Sequence, residues 1–334
     1  MNSVKARGSG DSPTIREYID RRSIVELVER TLRGEVAAST SLLTVLGGAV
    51  VIQEPSKQGS GFKLLSPAGY RGLHRVKTTS GRSEIIVKGL EESPVNLSLL
   101  ELNLESSGLT VVRVTGGSGS RLTGLKIHAA RGVSHEVIVI QDPVGENTEV
   151  TEIIVEQEDS SSLILTILLK PSSLSYTSIT SRLAAGSKAR KNIIVNPLPG
   201  ARVDVEDTSL VSEPESSVES YIRSRLEGGS TTALRGRGVV ERSARGSRVV
   251  YGIESLLCDE SSRVYMQPFL DIHTGSVVEA RHYARSYMLT LDRLFYIETR
   301  GLNTSEARRL LVKGFLTQGL SDTARRVVEE SIFS

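Results

Sequence analysis

Residues 152–171 read EIIVEQEDSSSLILTILLKP and contain two short apolar runs separated by a polar, serine-rich turn. The runs Glu152–Val155 and Leu163–Leu169 consist mainly of isoleucine, leucine and valine, which favour the pleated surface of a β-strand. Both runs are strand-sized, and neither approaches the length of a membrane span. The stretch therefore predicts two short β-strands joined by a turn.

The same pattern covers most of the chain on both sides of this stretch. No helical segment of ten or more residues separates the runs before about residue 215, so an alternating βα architecture is not expected. The other predicted strands are Leu42–Ile52, Glu84–Val87, Leu97–Leu104, Leu109–Val114, Leu122–Ile127, Glu136–Ile140, Asn192–Val195 and Ala201–Val205.

Two kinds of all-β fold fit these strands: a β-solenoid, and a sandwich or barrel. Asn-Gly and Asp-Gly, the strongest hairpin signals, are both absent, and this favours the solenoid. Aromatic residues make up only 4% of the chain and tryptophan is absent, which suits a narrow aliphatic interior. No repeat of fixed period is visible, so both folds stay open at this point. Residues 212–231 are rich in serine and glutamate and are predicted to form a surface loop.

Helical patterns are confined to the two ends of the chain. Residues 1–11 are polar and predicted to be disordered, and residues 12–36 are predicted to form an N-terminal helical segment. The β-core is expected over residues 37–287 and a C-terminal helical segment over 288–334. The predicted helix signals are Ser12 with Pro13, Ser23 with Glu26 (ended by Gly34), Thr290, Asn303 with Glu306, and Ser321.

The overall composition argues against several classes of protein. The 41 basic residues nearly balance the 39 acidic ones, so the chain lacks the basic excess of a nucleic-acid-binding protein. Its one cysteine, Cys258, cannot form an intramolecular disulfide or a multi-cysteine metal site. No signal peptide or membrane span is visible, and we expect a cytoplasmic protein. The Gly-Gly-Ser-Gly-Ser run at 116–120 lacks the Lys-Ser/Thr of a phosphate-binding loop and is predicted to be a turn.

Residues 254–316 carry a resemblance to a known family. They read ESLLCDESSRVYMQPFLDIHTGSVVEARHYARSYMLTLDRLFYIETRGLNTSEARRLLVKGFL, which resembles the C-terminal core of the SufB/SufD family of iron–sulfur cluster assembly proteins. The matching features are Ser255-Leu256-Leu257, Pro268, His282 twelve residues before Leu294-Phe295-Tyr296, Arg300-Gly301, and Glu306-Ala307-Arg308 through Gly314-Phe315.

The resemblance implies a right-handed parallel β-helix flanked by helical segments. It also implies a non-catalytic subunit that pairs through its β-helix with a SufB-type or identical subunit and docks an ABC-type SufC ATPase, which hydrolyses the ATP. No cofactor is expected to bind stably to this chain; a transient iron–sulfur cluster would belong to the complex, and the resemblance leaves flavin binding by the complex open. The residues assigned to the partner interface are Leu294, Phe295, Tyr296, Arg300, Arg308, Leu311 and Phe315.

His282 is the candidate metal-binding residue, because it matches the SufD-type histidine at the subunit interface and imidazole can bind iron. SufB-type chains have a glutamate after this histidine and a cysteine before the Ser-Leu-Leu run. Tyr283 and Ile253 occupy those positions here, so the chain is predicted to be SufD-like. Cys258 is predicted to act as a small buried hydrophobe. Another hypothesis places His273 beside His282 on a neighbouring coil.

Two alternatives remain from the residues alone. A carbohydrate-active β-helix enzyme would need paired carboxylates on exposed strands and aromatic residues that stack on sugars. The low aromatic content argues against that class. The second alternative is a purely structural solenoid with no metal role.

Overall fold

The computed structural model describes residue 19 and residues 21–52, 62–65 and 73–333. The predictions of disorder over residues 1–11 and of a helix starting at Ser12 and Pro13 lie outside the described residues. Within the described ranges the chain forms four helices: α1 (Arg21–Leu32), α2 (Leu291–Glu298), α3 (Thr304–Thr317) and α4 (Asp322–Phe333). No helix in this part of the chain is long and apolar enough to cross a membrane.

Between the terminal helices the described chain is built from strands. In chain order they are β1 (Ala38–Thr40), β2 (Leu42–Ile52), β3 (Leu73–Gly89), β4 (Val95–Leu104), β5 (Gly108–Gly116), β6 (Ser120–Ala129), β7 (Ser134–Gln141), β8 (Glu149–Gln157), β9 (Ser162–Leu169), β10 (Leu174–Leu183), β11 (Lys188–Val195), β12 (Arg202–Val211), β13 (Ser217–Leu226), β14 (Thr231–Val240), β15 (Ser247–Leu257), β16 (Arg263–Ile272) and β17 (Val277–Met288).

These strands coil into a parallel β-solenoid with two faces. The even-numbered strands from β4 to β16 pair in parallel and form the first sheet, and the odd-numbered strands from β5 to β17 form the second sheet. The number of residues per solenoid turn varies from 25 (Val95 opposite Ser120; 120 − 95) to 32 (Thr231 opposite Arg263; 263 − 231). The predicted mainly β fold, a parallel solenoid with short terminal helices, is confirmed, and the sandwich or barrel is excluded.

Aliphatic side chains from both sheets fill the interior of the solenoid. Because parallel strands in register place like positions above one another, valine, leucine and isoleucine form continuous rows along the coil. This explains how a chain with so few aromatic residues builds a core. Buried members of these rows include Leu102, Ile127, Ile153, Ile179 and Val205 in the first sheet and Val112, Val139, Ile167, Ile193 and Ile222 in the second.

The two ends of the solenoid differ. At the first end, β2 runs antiparallel to β3 and pairs with it along almost its whole length. At the last end, β16 pairs with β14 and β17 pairs with β15, and within the described residues neither strand has a neighbour on its other side. The C-terminal end of the coil is therefore an open edge of both sheets.

The terminal helices cover the outer surfaces of the sheets. Ile24 and Val28 of α1 pack on the first sheet in a cluster with Leu97, Leu99 and Leu122. Helices α3 and α4 cover the second sheet with their own apolar faces, which is how short amphipathic helices become stable. The residues of that contact include Val312, Leu316, Val327 and Val328 from the helices and Ile138, Ile140, Leu168 and Ile194 from the sheet.

The predicted helix signals at Asn303, Ser321 and Gly34 are confirmed, whereas Thr290 precedes α2 without a side-chain cap hydrogen bond. The Asn303 side chain accepts from the Glu306 amide at 2.9 Å, and the Glu306 carboxylate accepts from the Asn303 amide at 3.0 Å, forming a capping box. Ser321 Oγ likewise accepts from the Ala324 amide. Gly34 follows α1 with a φ of +73°, a conformation that favours glycine. The Ser23 prediction was wrong, because α1 begins at Arg21 and Ser23 lies inside its first turn.

The prediction of a surface loop over residues 212–231 was also wrong. Residues Ser217–Leu226 form β13, which pairs with β11 on one side and β15 on the other. Its serines are small enough for the interior and their hydroxyls find partners there: Ser220 Oγ donates to Asp207 Oδ2 at 2.6 Å. Its charged residues point outward. A serine- and glutamate-rich composition therefore concealed a central strand.

Candidate functional site at the open end of the solenoid

The open C-terminal end exposes part of the core. Val264 and Met266 of β16 pack against the buried interior but are themselves only partly buried. Apolar side chains on the two edge strands are strongly exposed, with Val278 75% and Phe269 50% accessible. Unpaired strand edges and exposed apolar surface are both features of protein–protein contact sites. This end of the coil is therefore a candidate interaction surface.

His282 lies in the middle of β17, on this open edge. It is in register with Tyr251 of β15, so both side chains are on the interior side of the second sheet. Tyr251 is fully buried, whereas His282 is exposed because no further turn follows β17. The imidazole therefore stands at the mouth of the solenoid interior, and the prediction that it binds iron stays a prediction.

A cluster of arginine and tyrosine side chains lies beside His282, on the outer surface of the second sheet. Tyr221, Gly252 and Tyr283 are in register on β13, β15 and β17. A Cβ atom on Gly252 would lie 2.6 Å from Cζ of Tyr283 and 3.0 Å from Cδ1 of Tyr221, so glycine makes room for both rings. Burial and the nearby Glu254 raise the pKa of Tyr283.

Arginine side chains cover these two rings. The Arg285 guanidinium lies 4.6 Å from the ring centroid of Tyr283, and those of Arg223 and Arg190 lie 5.5 and 5.7 Å from Tyr221. Such distances allow cation–π attraction. In place of the glutamate of SufB-type chains, Tyr283 thus contributes to a cationic aromatic surface.

A buried carboxylate connects this region to helix α3. Glu254 accepts from Arg223 Nε at 3.2 Å and from the Tyr287 hydroxyl at 3.4 Å. Arg223 Nη1 also donates to the backbone oxygen of Gln318, just after α3, at 2.9 Å. The Tyr287 and Phe315 rings meet edge to face with centroids 6.0 Å apart. These contacts hold the last turn of the solenoid and the C-terminal helices in a fixed arrangement.

A buried polar cluster fills the interior behind Tyr251. Lys191 Nζ donates to Asp207 Oδ1 at 2.5 Å, Ser209 Oγ at 2.8 Å and Ser181 Oγ at 3.2 Å, and both charged residues are inaccessible to solvent. The Tyr251 hydroxyl donates to Ser209 Oγ at 2.6 Å. Burial lowers the pKa of Lys191, and Asp207 opposes that shift. We call Lys191, Asp207, Ser181, Ser209, Ser220 and Tyr251 the buried lysine cluster.

The residues predicted to form the partner interface fall into two groups. Leu294 is buried. Phe315 packs with the helix–sheet cluster and Arg308 Nη2 contacts Glu227 at 2.5 Å, so these two residues hold α3 on the solenoid. Phe295 and Tyr296 are 66% and 64% accessible. Arg300 lies over the Tyr296 ring at 5.5 Å, and Leu311 lines a cavity of about 360 Å³ between α3 and the edge of the second sheet.

The other candidate residues lie away from His282 or inside the core. Cys258 is buried in the cluster between α3, α4 and the second sheet, as expected of a small apolar residue. Ile253 is fully buried in the main core. His273 follows the first-sheet strand β16 and has its Nε2 3.1 Å from Asp271 Oδ1, whereas His282 belongs to the second sheet. Among the described residues, no group of three histidine, cysteine or acidic side chains could hold a metal.

Fold and site together define a class of protein: a parallel β-solenoid with one covered and one open end, a histidine at the open end, and a helical layer beside it. The particular family follows from comparison with known proteins. The family model for the SufBD core domain of the SUF system of FeS cluster assembly matches residues 97–315, which is 219 of the 334 residues (315 − 97 + 1). The chain belongs to this family.

Curated relatives carry the same family name. An iron–sulfur cluster assembly SufBD family protein of Mycobacterium tuberculosis is 34% identical over 103 residues, covering 31% of this chain and 12% of the relative. A SufBD family protein of Mycobacterium leprae is 35% identical over 107 residues, which cover 32% of this chain and 12% of the relative. A second SufBD family protein of M. tuberculosis is 29% identical over 101 residues, which cover 30% of this chain and 25% of the relative. The chain thus matches at most about a quarter of the length of these relatives.

Proposed function

We propose that this chain is a non-catalytic, SufD-like accessory subunit of a Suf-type iron–sulfur cluster assembly complex. In this proposal the open end of the solenoid pairs with a second solenoid subunit, and a SufC-type ABC ATPase docks on the C-terminal helices and hydrolyses the ATP. The observation that carries the proposal is the position of His282: an exposed imidazole in the middle of an unpaired edge strand. Pairing at that edge would place the imidazole inside the contact.

The SufD-like assignment is supported by the residues on either side of the site. Ile253 has no accessible surface, so the SufB-type thiolate position is filled here by an aliphatic core residue. Tyr283 forms a stack with Arg285 and offers no carboxylate. Of the three positions compared, only His282 keeps a side chain that can bind iron; the cysteine and glutamate positions offer neither a thiolate nor a carboxylate. One imidazole cannot hold a cluster alone, so a partner would supply the remaining ligands.

The experiment that tests the proposal is co-expression of this chain with a SufC-type ATPase and a SufB-type partner. We expect a stable complex that contains the ATPase and is retained through affinity and size-exclusion chromatography. If this chain elutes alone under the same conditions, the proposal is wrong and the purely structural solenoid becomes the better account.

Replacing Phe295 with aspartate is expected to weaken ATPase docking by about 30-fold or more, because an exposed aromatic anchor at an interface is commonly worth about 2 kcal/mol. The change should leave the fold intact, since Phe295 is 66% accessible. Titration of the purified ATPase in a binding assay measures the effect. Leu46→Asp is the matched control, because Leu46 is an exposed apolar residue on β2 at the opposite end. Equal affinity of Phe295→Asp and wild type would exclude α2 as the docking helix.

Replacing His282 with alanine should leave the complex assembled and reduce cluster formation at least tenfold. The side chain is exposed and makes no contribution to the core, so only its ligand chemistry is lost. Cluster formation is followed by absorption of the anaerobically reconstituted complex. His273→Ala is the control, since that histidine is similarly exposed but belongs to the first sheet. Unchanged cluster formation in His282→Ala would remove the metal role and leave the scaffold role standing.

A further inference from the structure

A cavity on the outer surface of the first sheet lies close to the open end of the solenoid, and we propose that it binds a small zwitterion, namely a free α-amino acid with an apolar side chain. The cavity has a volume of about 350 Å³, toward the lower end of the range for ligand-binding cavities. We call it the first-sheet cavity, and the lining residues that carry its chemistry are Glu206, Arg235, Arg237, Gln267, Phe269 and Asp271.

The cavity lies between two rows of outward-facing side chains. The register of the first sheet places Glu206, Arg235 and Gln267 side by side on β12, β14 and β16. Arg237 and Phe269 are two residues further along β14 and β16, so the second row lies about 6.6 Å from the first.

The sheet backbone forms the floor between the two rows. Gly236, which separates the two arginines on β14, has no side chain. Asp207 is in register with Gly236 and directs its carboxylate into the solenoid interior, where it binds Lys191. These two positions therefore place no side chain in the space between the rows.

Two buried guanidinium donors of this cavity lack a partner. The Arg235 side chain is only 9% accessible, and its Nε, like that of Arg237, is buried and has no hydrogen-bond partner among the described residues. A buried donor without an acceptor is costly, and nearly all such groups in folded proteins are satisfied. The carboxylate of a ligand would provide the acceptor, because a guanidinium matches the geometry of a carboxylate.

A carboxylate with spare acceptor capacity lies directly beside Arg235. Glu206 is its neighbour in register on the adjacent strand, about 4.8 Å away along the row. Glu206 lies 3.5 Å from Arg235 Nη2 and 3.6 Å from Arg21 Nη2, both longer than ordinary hydrogen bonds, and accepts from the Tyr176 hydroxyl at 3.3 Å. The two charged groups of an α-amino acid are separated by a single carbon atom, so they require a cation and an anion side by side. Arg235 and Glu206 supply that arrangement.

The charges that line the cavity balance one another. Arg237 donates to Asp271 at 2.9 Å, and Arg235 faces Glu206. The remaining lining carboxylate, Asp207, is neutralised within the buried lysine cluster. A lining with both signs and no net charge favours a ligand of the same kind, because a simple anion would be repelled by the carboxylates and a simple amine by the guanidinium groups.

Phe269 provides the apolar part of the site. Its ring is 50% accessible and lies 5.8 Å from the Arg237 guanidinium. Gln267, exposed in the other row, can both donate to and accept from a ligand. The apolar side chain of the amino acid would therefore lie on the Phe269 ring while its charged groups reach Arg235 and Glu206.

Isothermal titration calorimetry of the purified full chain with L-phenylalanine tests the proposal. We expect a dissociation constant of about 1 mM or below, as for a ligand of this size with ordinary affinity per atom. L-Phenylalaninamide lacks the carboxylate and N-acetyl-L-phenylalanine lacks the ammonium group, and each should bind at least tenfold more weakly. Undetectable binding of L-phenylalanine would overturn the proposal, and so would equal binding of either derivative or tighter binding of uridine, a neutral planar ring.

Variants of the half-exposed lining residues locate the binding. Arg237→Leu should weaken binding of L-phenylalanine at least fivefold, whereas Arg182→Leu should leave it unchanged. Arg182 is the matched control, because it is similarly exposed (46% against 41%) and pairs with Glu156 on the same sheet outside the cavity. An unchanged affinity in Arg237→Leu would overturn the assignment of this cavity.

Glu206→Gln tests the contact with the ammonium group, because it removes the negative charge with little change in size. We expect it to weaken binding of L-phenylalanine at least fivefold and to leave the weaker binding of N-acetyl-L-phenylalanine unchanged. An equal loss for both ligands would contradict a contact between Glu206 and the ammonium group.

Binding at the first-sheet cavity is independent of the assembly role, because the titration uses this chain alone. If L-phenylalanine fails to bind but the chain forms a complex with the ATPase, the zwitterion site is wrong and the assembly role stands. If L-phenylalanine binds with the expected dependence on Arg237 and Glu206 but no complex forms, the site stands and the assembly role fails.

Discussion

Asp207→Asn is expected to lower the free energy of unfolding by about 3–5 kcal/mol, the usual cost of leaving one partner of a buried ion pair unpaired. Lys191 loses the one acidic partner it has among the described residues and keeps the hydroxyls of Ser181 and Ser209. Urea denaturation monitored by circular dichroism measures the loss. The control is Asp159→Asn, which removes the exposed Arg131–Asp159 ion pair and should cost less than about 1 kcal/mol.

The pH dependence of this variant gives a second test. Burial already lowers the pKa of Lys191, and removal of Asp207 takes away the interaction that opposes this shift. Between the lowered folded-state pKa and the ordinary lysine value of about 10.4, the unfolded chain binds a proton that the folded chain lacks. Stability therefore rises with pH in that window, and the deficit of the variant should shrink as the pH rises toward the ordinary lysine value. A deficit that is constant with pH would contradict a charged Lys191 in the wild type.

Tyr251→Ala is expected to destabilise the fold by about 3–5 kcal/mol, because it opens a large cavity in the last turns of the solenoid. Tyr251→Phe should cost only about 1 kcal/mol, since it removes a single hydrogen bond to Ser209. Thermal and urea denaturation of both variants measure the difference. Similar losses for the two variants would show that the hydroxyl, rather than the ring, carries the stability.

Gly236 lies opposite the Tyr251 ring and allows a second test of how this ring packs. A Cβ atom on Gly236 would lie 2.6 Å from Cδ1 of Tyr251, so Gly236→Val should overpack the wild-type interior by about 1–3 kcal/mol. In the Tyr251→Ala background the same valine enters the cavity and should restore part of the stability. The two changes are therefore expected to be strongly non-additive. Additive losses would mean that the ring and Gly236 do not pack together in solution.

Much of this fold could be predicted from local pattern. The run Leu163–Leu169 is apolar because its alternate residues line the interior while Leu168, on its outer face, packs beneath α3 and α4. Capping residues such as Asn303 act within one helical turn. The errors arose where local composition and burial disagree. Strand β13 looks like a loop because its inward serines bond to Asp207 and Ser255, and those partners lie 13 and 31 residues away in the sequence.

Only part of the candidate site could be predicted from the sequence. Residue type and family resemblance singled out His282, but its place at an open edge depends on where the coil stops. Lys191 was missed because lysine is normally exposed, and only its register within β11 places it inside. The stack of Tyr221, Gly252 and Tyr283 requires residues about one solenoid turn apart to align, and the turn length varies along the chain.

The most direct test of the account is the mass of the particle formed when this chain is co-expressed with a SufC-type ATPase and a SufB-type chain, measured by native mass spectrometry. We predict that each particle contains two solenoid subunits together with the ATPase. Val278→Lys, which puts a charge on the open edge, should reduce this to one solenoid subunit, whereas Leu198→Lys, an exposed apolar position away from the edge, should have no effect. A wild-type particle with one solenoid subunit, or a Val278→Lys particle that still has two, would contradict the account.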